Sequence, residues 1–126
     1  MAHNFPKGLP VFHMRIYKLV EDPESDPIIS WGKDNNSFVI WNLEEFDRRN
    51  IVDKFDCNRF SQFRADLRHY GFRRIKKGSG ELEYGNEDFV RGHPERMKTM
   101  MIKAFRKHRA KFEAKEAAKE MQRLQI

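Results

Sequence analysis

Cysteine is nearly absent from this 126-residue chain. The single residue, Cys57, rules out an internal disulfide and leaves no set of thiolates for a zinc site. No apolar run approaches the roughly 20 residues that a membrane helix requires. The opening MAHNFPKGLP has no continuous apolar segment of the secretory kind, so the expectation is an intracellular protein without a membrane partner. No phosphate-cradling glycine loop is present, since Gly78-Ser79-Gly80 reads as a turn between strands. The five histidines, His3, His13, His69, His93 and His108, have no metal-ligand spacing, and Cys57 has no motif partner. These absences argue against an enzyme, a metal site and any cofactor.

Acidic residues are also scarce in one place. Arg96 to Lys111 contains none. The formal charge of +6 is unevenly spread: acids slightly outnumber bases before Ser61, and bases dominate after it. A basic half beside a near-neutral one suits a polyanionic partner, nucleic acid or an anionic membrane surface, or simply a solvated face. Eleven phenylalanines and two tryptophans, Trp31 and Trp41, suffice for one core, and both tryptophans sit on apolar strands where core positions are expected.

The stretch Asn58 to Ile75, NRFSQFRADLRHYGFRRI, organises the rest. Phe60, Phe63 and Leu67 share one side of a helix at three- and four-residue spacing, with Gln62, Ala65 and His69 opposite. Gly71 suits the helix end, because glycine takes left-handed angles without a Cβ clash. Phe72-Arg73-Arg74-Ile75 reads as a half-buried strand leading into the basic turn Lys76-Lys77-Gly78. Upstream, Phe12, Ile16, Leu19 and Val20 mark a first helix that ends at Glu21-Asp22-Pro23. Ile28 to Trp31 and Ser37 to Trp41 form a hairpin across an Asn/Asp turn. Asn42 is placed to cap the next helix. Glu81 to Tyr84 supplies a last strand.

The fold class that follows is α+β: a winged helix-turn-helix, with a three-helix bundle packed on a small antiparallel four-stranded sheet and a C-terminal helical extension. Its expected divisions are a flexible N-terminal arm over 1–10, the winged-helix domain over 11–93, and a basic, charged helix over 94–126. Ala, Glu, Lys, Arg and Met dominate that last part, which reads as a solvated helix docked at its start. Its apolar positions fall short of the sustained heptads of a coiled coil.

Four blocks resemble the DNA-binding domain of the heat shock transcription factors, the plant members above all. FHMRIYKLVEDPESDPIISW resembles the opening helix and first strand, and NNSFVIWNLEEF the second strand and second-helix entry. NRFSQFRADLRHYGFRRI resembles the recognition helix and third strand, and ELEYGNEDFVRG the closing strand. The resemblance implies a nuclear, stress-responsive transcription regulator that places residues 59–69 in the major groove of double-stranded DNA.

The family's recognition helix typically reads FSSFVRQLNTYGF, and its arginine reads guanine. Here that position is Ala65, its neighbouring glutamine is Asp66, Arg64 replaces valine and Arg68 replaces asparagine. Bidentate arginine contacts to guanine discriminate by roughly 1–3 kcal/mol, and alanine offers only methyl contact. The expected DNA-contacting residues are Arg59, Gln62, Arg64, Arg68, Tyr70, Arg73, Arg74, Lys76, Lys77 and Arg91, with altered or weakened sequence reading. Asp56, where the family often has lysine, removes one phosphate contact. No linker, trimerising heptad region or activation region is evident, so a monomer is expected. The alternative is a protein-interaction module that has lost sequence-specific DNA binding and meets a protein partner, the C-terminal helix being one candidate surface.

Overall fold

The structure, a computed structural model, describes residues 5–75 and 82–124. Lys76, Lys77 and the Gly78-Ser79-Gly80 turn lie outside the described residues. The elements run α1 (Val11–Glu21), β1 (Ile29–Trp31), β2 (Ser37–Ile40), α2 (Leu43–Arg48), α3 (Phe60–His69), β3 (Arg73–Ile75), β4 (Leu82–Gly85) and α4 (Met97–Leu124). Short 3-10 turns occupy Pro23–Ser25, Ile51–Phe55 and Pro94–Arg96. The four strands form one antiparallel sheet in the order β1-β2-β4-β3, with helices packed on it, the winged-helix arrangement.

Alternation along β2 sorts the sheet's two faces. Phe38 points into the helices, where its ring meets Phe72, Tyr84 and Phe89 at centroid distances of 5.5, 5.8 and 6.1 Å. Val39 and Trp41 alternate to the other side. There the Trp41 indole N–H donates to Ser30 Oγ at 2.8 Å. Trp41 is therefore not a core residue; it is half exposed, because a period of two carries it outward. Trp31 faces inward against Phe89 and Tyr17.

α1 buries more than the four residues of its expected stripe, since His13 and Tyr17 are also inaccessible. The preceding segment explains part of this. Phe5 packs edge-on against Tyr17 at 5.8 Å and Leu9 joins the core, while Lys7 and Gly8 between them are exposed. β3 departs from a half-buried strand. It is the sheet's edge, with Arg73 and Arg74 both exposed, and only the preceding Phe72 enters the core.

The second helix is shorter than its apolar pattern suggests. Asn42 Oδ1 does cap it, accepting from the Glu45 N–H at 3.0 Å. At Asn50 the backbone turns left-handed, with φ of 54°, so Ile51, Val52 and Phe55 reach the core from a 3-10 turn instead. The core does not stop at residue 93. Met97, Met100 and Ala104 of α4 are buried too.

Candidate nucleic-acid interface

α3 is held by its apolar side and by both of its ends. Phe63 and Leu67 are fully buried, and Phe60 packs partly against Phe46 at 5.9 Å. Burial of that face stabilises the helix where intrinsic propensity would not. At its start, Gln62 Oε1 reaches back to accept from the Asn58 N–H at 3.1 Å. At its end, Gly71 adopts φ of 103°, Phe72 N–H donates to Leu67 O and Gly71 N–H to Arg68 O. This is a Schellman closure, which needs a residue free of Cβ strain at Gly71. Tyr70 stacks on Phe12 at 4.7 Å and meets the His13 ring at 5.0 Å.

The opposite side of α3 is open. Gln62, Arg64, Ala65, Arg68 and His69 are all exposed. Among the described residues no carboxylate pairs with Arg59, Arg64, Arg68, Arg73 or Arg74, so the surface is strongly electropositive. Arg74 lies over the Tyr84 ring at 6.0 Å. Ala65, Arg68 and Arg73 line a single cleft beside α4, about 660 Å³ in volume. Arg91 stands apart from this group: its Nε faces Glu21 of α1 at 3.7 Å. Tyr70 is half-buried, packed against the core among the rings of Phe12 and His13.

Two carboxylates of this region are already engaged. Asp66 Oδ2 accepts from the buried Cys57 thiol at 3.3 Å, which draws the side chain off the reading face. Burial, the hydrogen bond to Asp66 and the nearby negative charge push the thiol up to about 11, so Cys57 is a protonated donor. Asp56 Oδ2 accepts from Arg15 at 3.2 Å. Neither pairing is visible in sequence, where Cys57 reads only as a turn residue.

Sequence reasoning also missed what α4 does here. His108 Nε2 lies 2.6 Å from the His69 carbonyl oxygen, and the two imidazoles stack at 4.3 Å and 9°. His69 is thus shared between α3 and α4. Composition and the acid-free run from Arg96 pointed to that helix, but a contact spanning 39 residues leaves no local signal.

Comparison with known proteins places this geometry. A family model described as HSF-type DNA-binding matches residues 12–103. Heat stress transcription factor A-4a of Arabidopsis thaliana is 44% identical over 93 residues, 74% of this chain and 23% of that protein. Heat stress transcription factor A-1 of Oryza sativa subsp. japonica is 42% identical over 91 residues, 72% of this chain and 18% of that protein. The chain thus spans under a quarter of these relatives' length. Among solved structures, Skn7 of Chaetomium thermophilum with HSE DNA superposes with a TM-score of 0.63 at 25% identity, covering 70% of this chain and 95% of that one. A heat shock transcription factor/DNA complex gives 0.55 at 25% identity over 64% and 98% of the two chains. Both relatives are heat stress transcription factors, and the matched family model describes a DNA-binding domain. With the winged-helix sheet, the buried α3 stripe and the family match over most of its length, the chain belongs to the HSF-type DNA-binding family.

Proposed function

We propose that this domain binds double-stranded DNA in the nucleus as part of a transcription regulator, with α3 in the major groove and altered or weakened sequence reading. The observation that carries it is the two-sidedness of α3: one face fixed in the core, the other exposed and cationic. Arg59, Arg64, Arg68, Arg73 and Arg74 are exposed and able to meet phosphates or base edges, and Lys76 and Lys77 follow them in sequence as further candidate phosphate contacts. Phosphate contacts hold register while base contacts specify. Ala65 carries no hydrogen-bonding group where the family's arginine reads guanine, so discrimination passes to Arg64, Arg68 and the Gln62 amide. Gln62 offers its NH₂ for this, while its Oε1 already accepts one bond at the helix start. Arg91, paired with Glu21, contributes at most to phosphate affinity. A single copy meets one half-site of the family's repeated element and forgoes the avidity of linked copies.

The test is a titration against a duplex carrying the family's inverted GAA-type element and against a scrambled duplex, at several salt concentrations. The expected result is salt-sensitive binding to both, with less than about tenfold preference, a gap of about 1.4 kcal/mol. Absence of binding to either duplex by the folded chain would overturn the reading.

A second reading has its own support. Phe105 and Phe112 of α4 are exposed by 45% and 64%, which suits an interaction with a protein partner. On that reading sequence-specific DNA binding is absent and Phe112→Ser abolishes capture of the partner.

A further inference from the structure

The face of α4 that looks toward the domain changes character along its length. It begins with buried Met97, Met100 and Ala104, then becomes basic at Lys107 and Lys111. These two lysines lie past residue 103, where the family match ends, so the match does not account for them. They line the same cleft as Ala65, Arg68 and Arg73. The spacing between the helices is fixed at the cleft by the His108 contact to the His69 carbonyl and by the stacked imidazoles.

Charge in the cleft is one-sided. The carboxylate that lines it, Glu87, is taken by Lys103 at 2.8 Å, and Lys103 also meets Asp88 at 3.2 Å. Among the described residues, no carboxylate pairs with Arg68, Arg73, Lys107 or Lys111. Four unneutralised cations around a cleft of about 660 Å³ favour a polyanion over a neutral or apolar ligand.

We infer that this cleft holds one phosphodiester strand of a DNA duplex, with α3 on one side of the strand and Lys107 and Lys111 of α4 on the other. The inference rests on the DNA-binding reading above and adds a second arm to it. Four residues of helix rise about 6 Å. One DNA strand carries a charge every 3.4 Å or so along the axis. Lys107 and Lys111 therefore meet different phosphates of the same strand. They add affinity and register without sequence preference, which suits a reading helix whose guanine-reading position is alanine.

The experiment compares the full chain with its Lys107→Gln/Lys111→Gln variant on the element duplex and on the scrambled duplex, between 50 and 200 mM salt or thereabouts. Both lysines are exposed, so the melting temperature is expected to stay put and to certify the fold. Each phosphate contact contributes about 0.9 to the slope of log K against log salt. The expected result is a slope shallower by about 1.8 on both duplexes, with the ratio between duplexes unchanged. A Lys98→Gln/Arg106→Gln control, which the helical repeat carries away from the cleft, is expected to change the slope by less than about half as much. An unchanged slope in the Lys107/Lys111 variant, or an equal loss in the control, would overturn the inference while leaving DNA binding by α3 intact. Tighter binding by the variant would overturn it too, since α4 would then be covering the reading helix. Failure of the unaltered chain to bind either duplex would remove the parent reading, and this one with it.

Discussion

α3 and α4 are both basic helices, yet α3 buries Phe63 and Leu67 completely and closes on a glycine turn, while α4 buries no described residue after Ala104 and runs on to Leu124. The first is a helix because the core requires it there. Its polar face carries arginines and a histidine, and its apolar stripe decides its position. The second is a helix because Ala, Lys, Glu, Met and Arg favour that state and because i,i+3 and i,i+4 pairs assist it, such as Arg109–Glu113 at 3.1 Å and Arg123–Glu120 at 3.0 Å. A reading element must hold one orientation relative to the sheet, which burial supplies. An accessory arm needs only a fixed root.

The contrast is broken most severely at Phe63. Phe63→Ala is expected to cost about 3–5 kcal/mol and to release α3 from the sheet, whereas Phe112→Ala in α4 should change stability by less than about 0.5 kcal/mol. Urea unfolding followed by circular dichroism separates the two, and equal effects would erase the distinction.

Acid should loosen the seam between α1 and α3 next. His13 is fully buried, and both ring nitrogens lack a hydrogen-bond partner among the described residues. Burial lowers its pKa from 6.5 to about 4, because the charged ring would lose its hydration. The unfolded chain binds the proton first. Stability is therefore complete above pH 6.5, declines as pH falls toward 4, and levels off below that, a loss of up to about 3 kcal/mol. His13→Leu should flatten that part of the pH–stability curve, and an unaltered curve would assign the acid sensitivity elsewhere.

A smaller effect is expected at the joint between the two helices. Gly71 sits at φ of 103°, and an added Cβ would stand 3.3 Å from Asn86 Nδ2, which donates to the Gly71 carbonyl. Gly71→Ala should cost about 1–2 kcal/mol, read as a lower melting temperature. Smallest of all, Glu113→Gln removes one exposed ion pair of α4 and should shift helicity at 222 nm by only a few per cent, with a stability change below about 0.5 kcal/mol.

The features legible in the sequence are the ones written locally. Phe63 and Leu67 at helical spacing, Gly71 at a helix end and Asn42 before acids each declare themselves within a few residues, and the structure carries them out. The family blocks made the sheet and the position of the reading helix legible as well. Contacts between distant segments were not. Cys57 with Asp66, Asp56 with Arg15 and His69 with His108 join residues whose identities suit many partners. Trp41 was misplaced because aromatic bulk spoke for the core, while alternation from Phe38 and Ile40 sends it outward. The open side of α3 follows from its buried side; which of its arginines touch DNA does not.

The thiol of Cys57 gives this molecule a built-in clock. It is the chain's lone cysteine, buried beneath α3, and with a pKa near 11 almost none of it is thiolate at neutral pH. A thiol reagent therefore reacts in proportion to how often α3 lifts from its seat and frees the sulfur from Asp66. Its labelling rate, measured with and without a duplex in solution, reads the opening free energy of the reading helix directly, with no engineered probe.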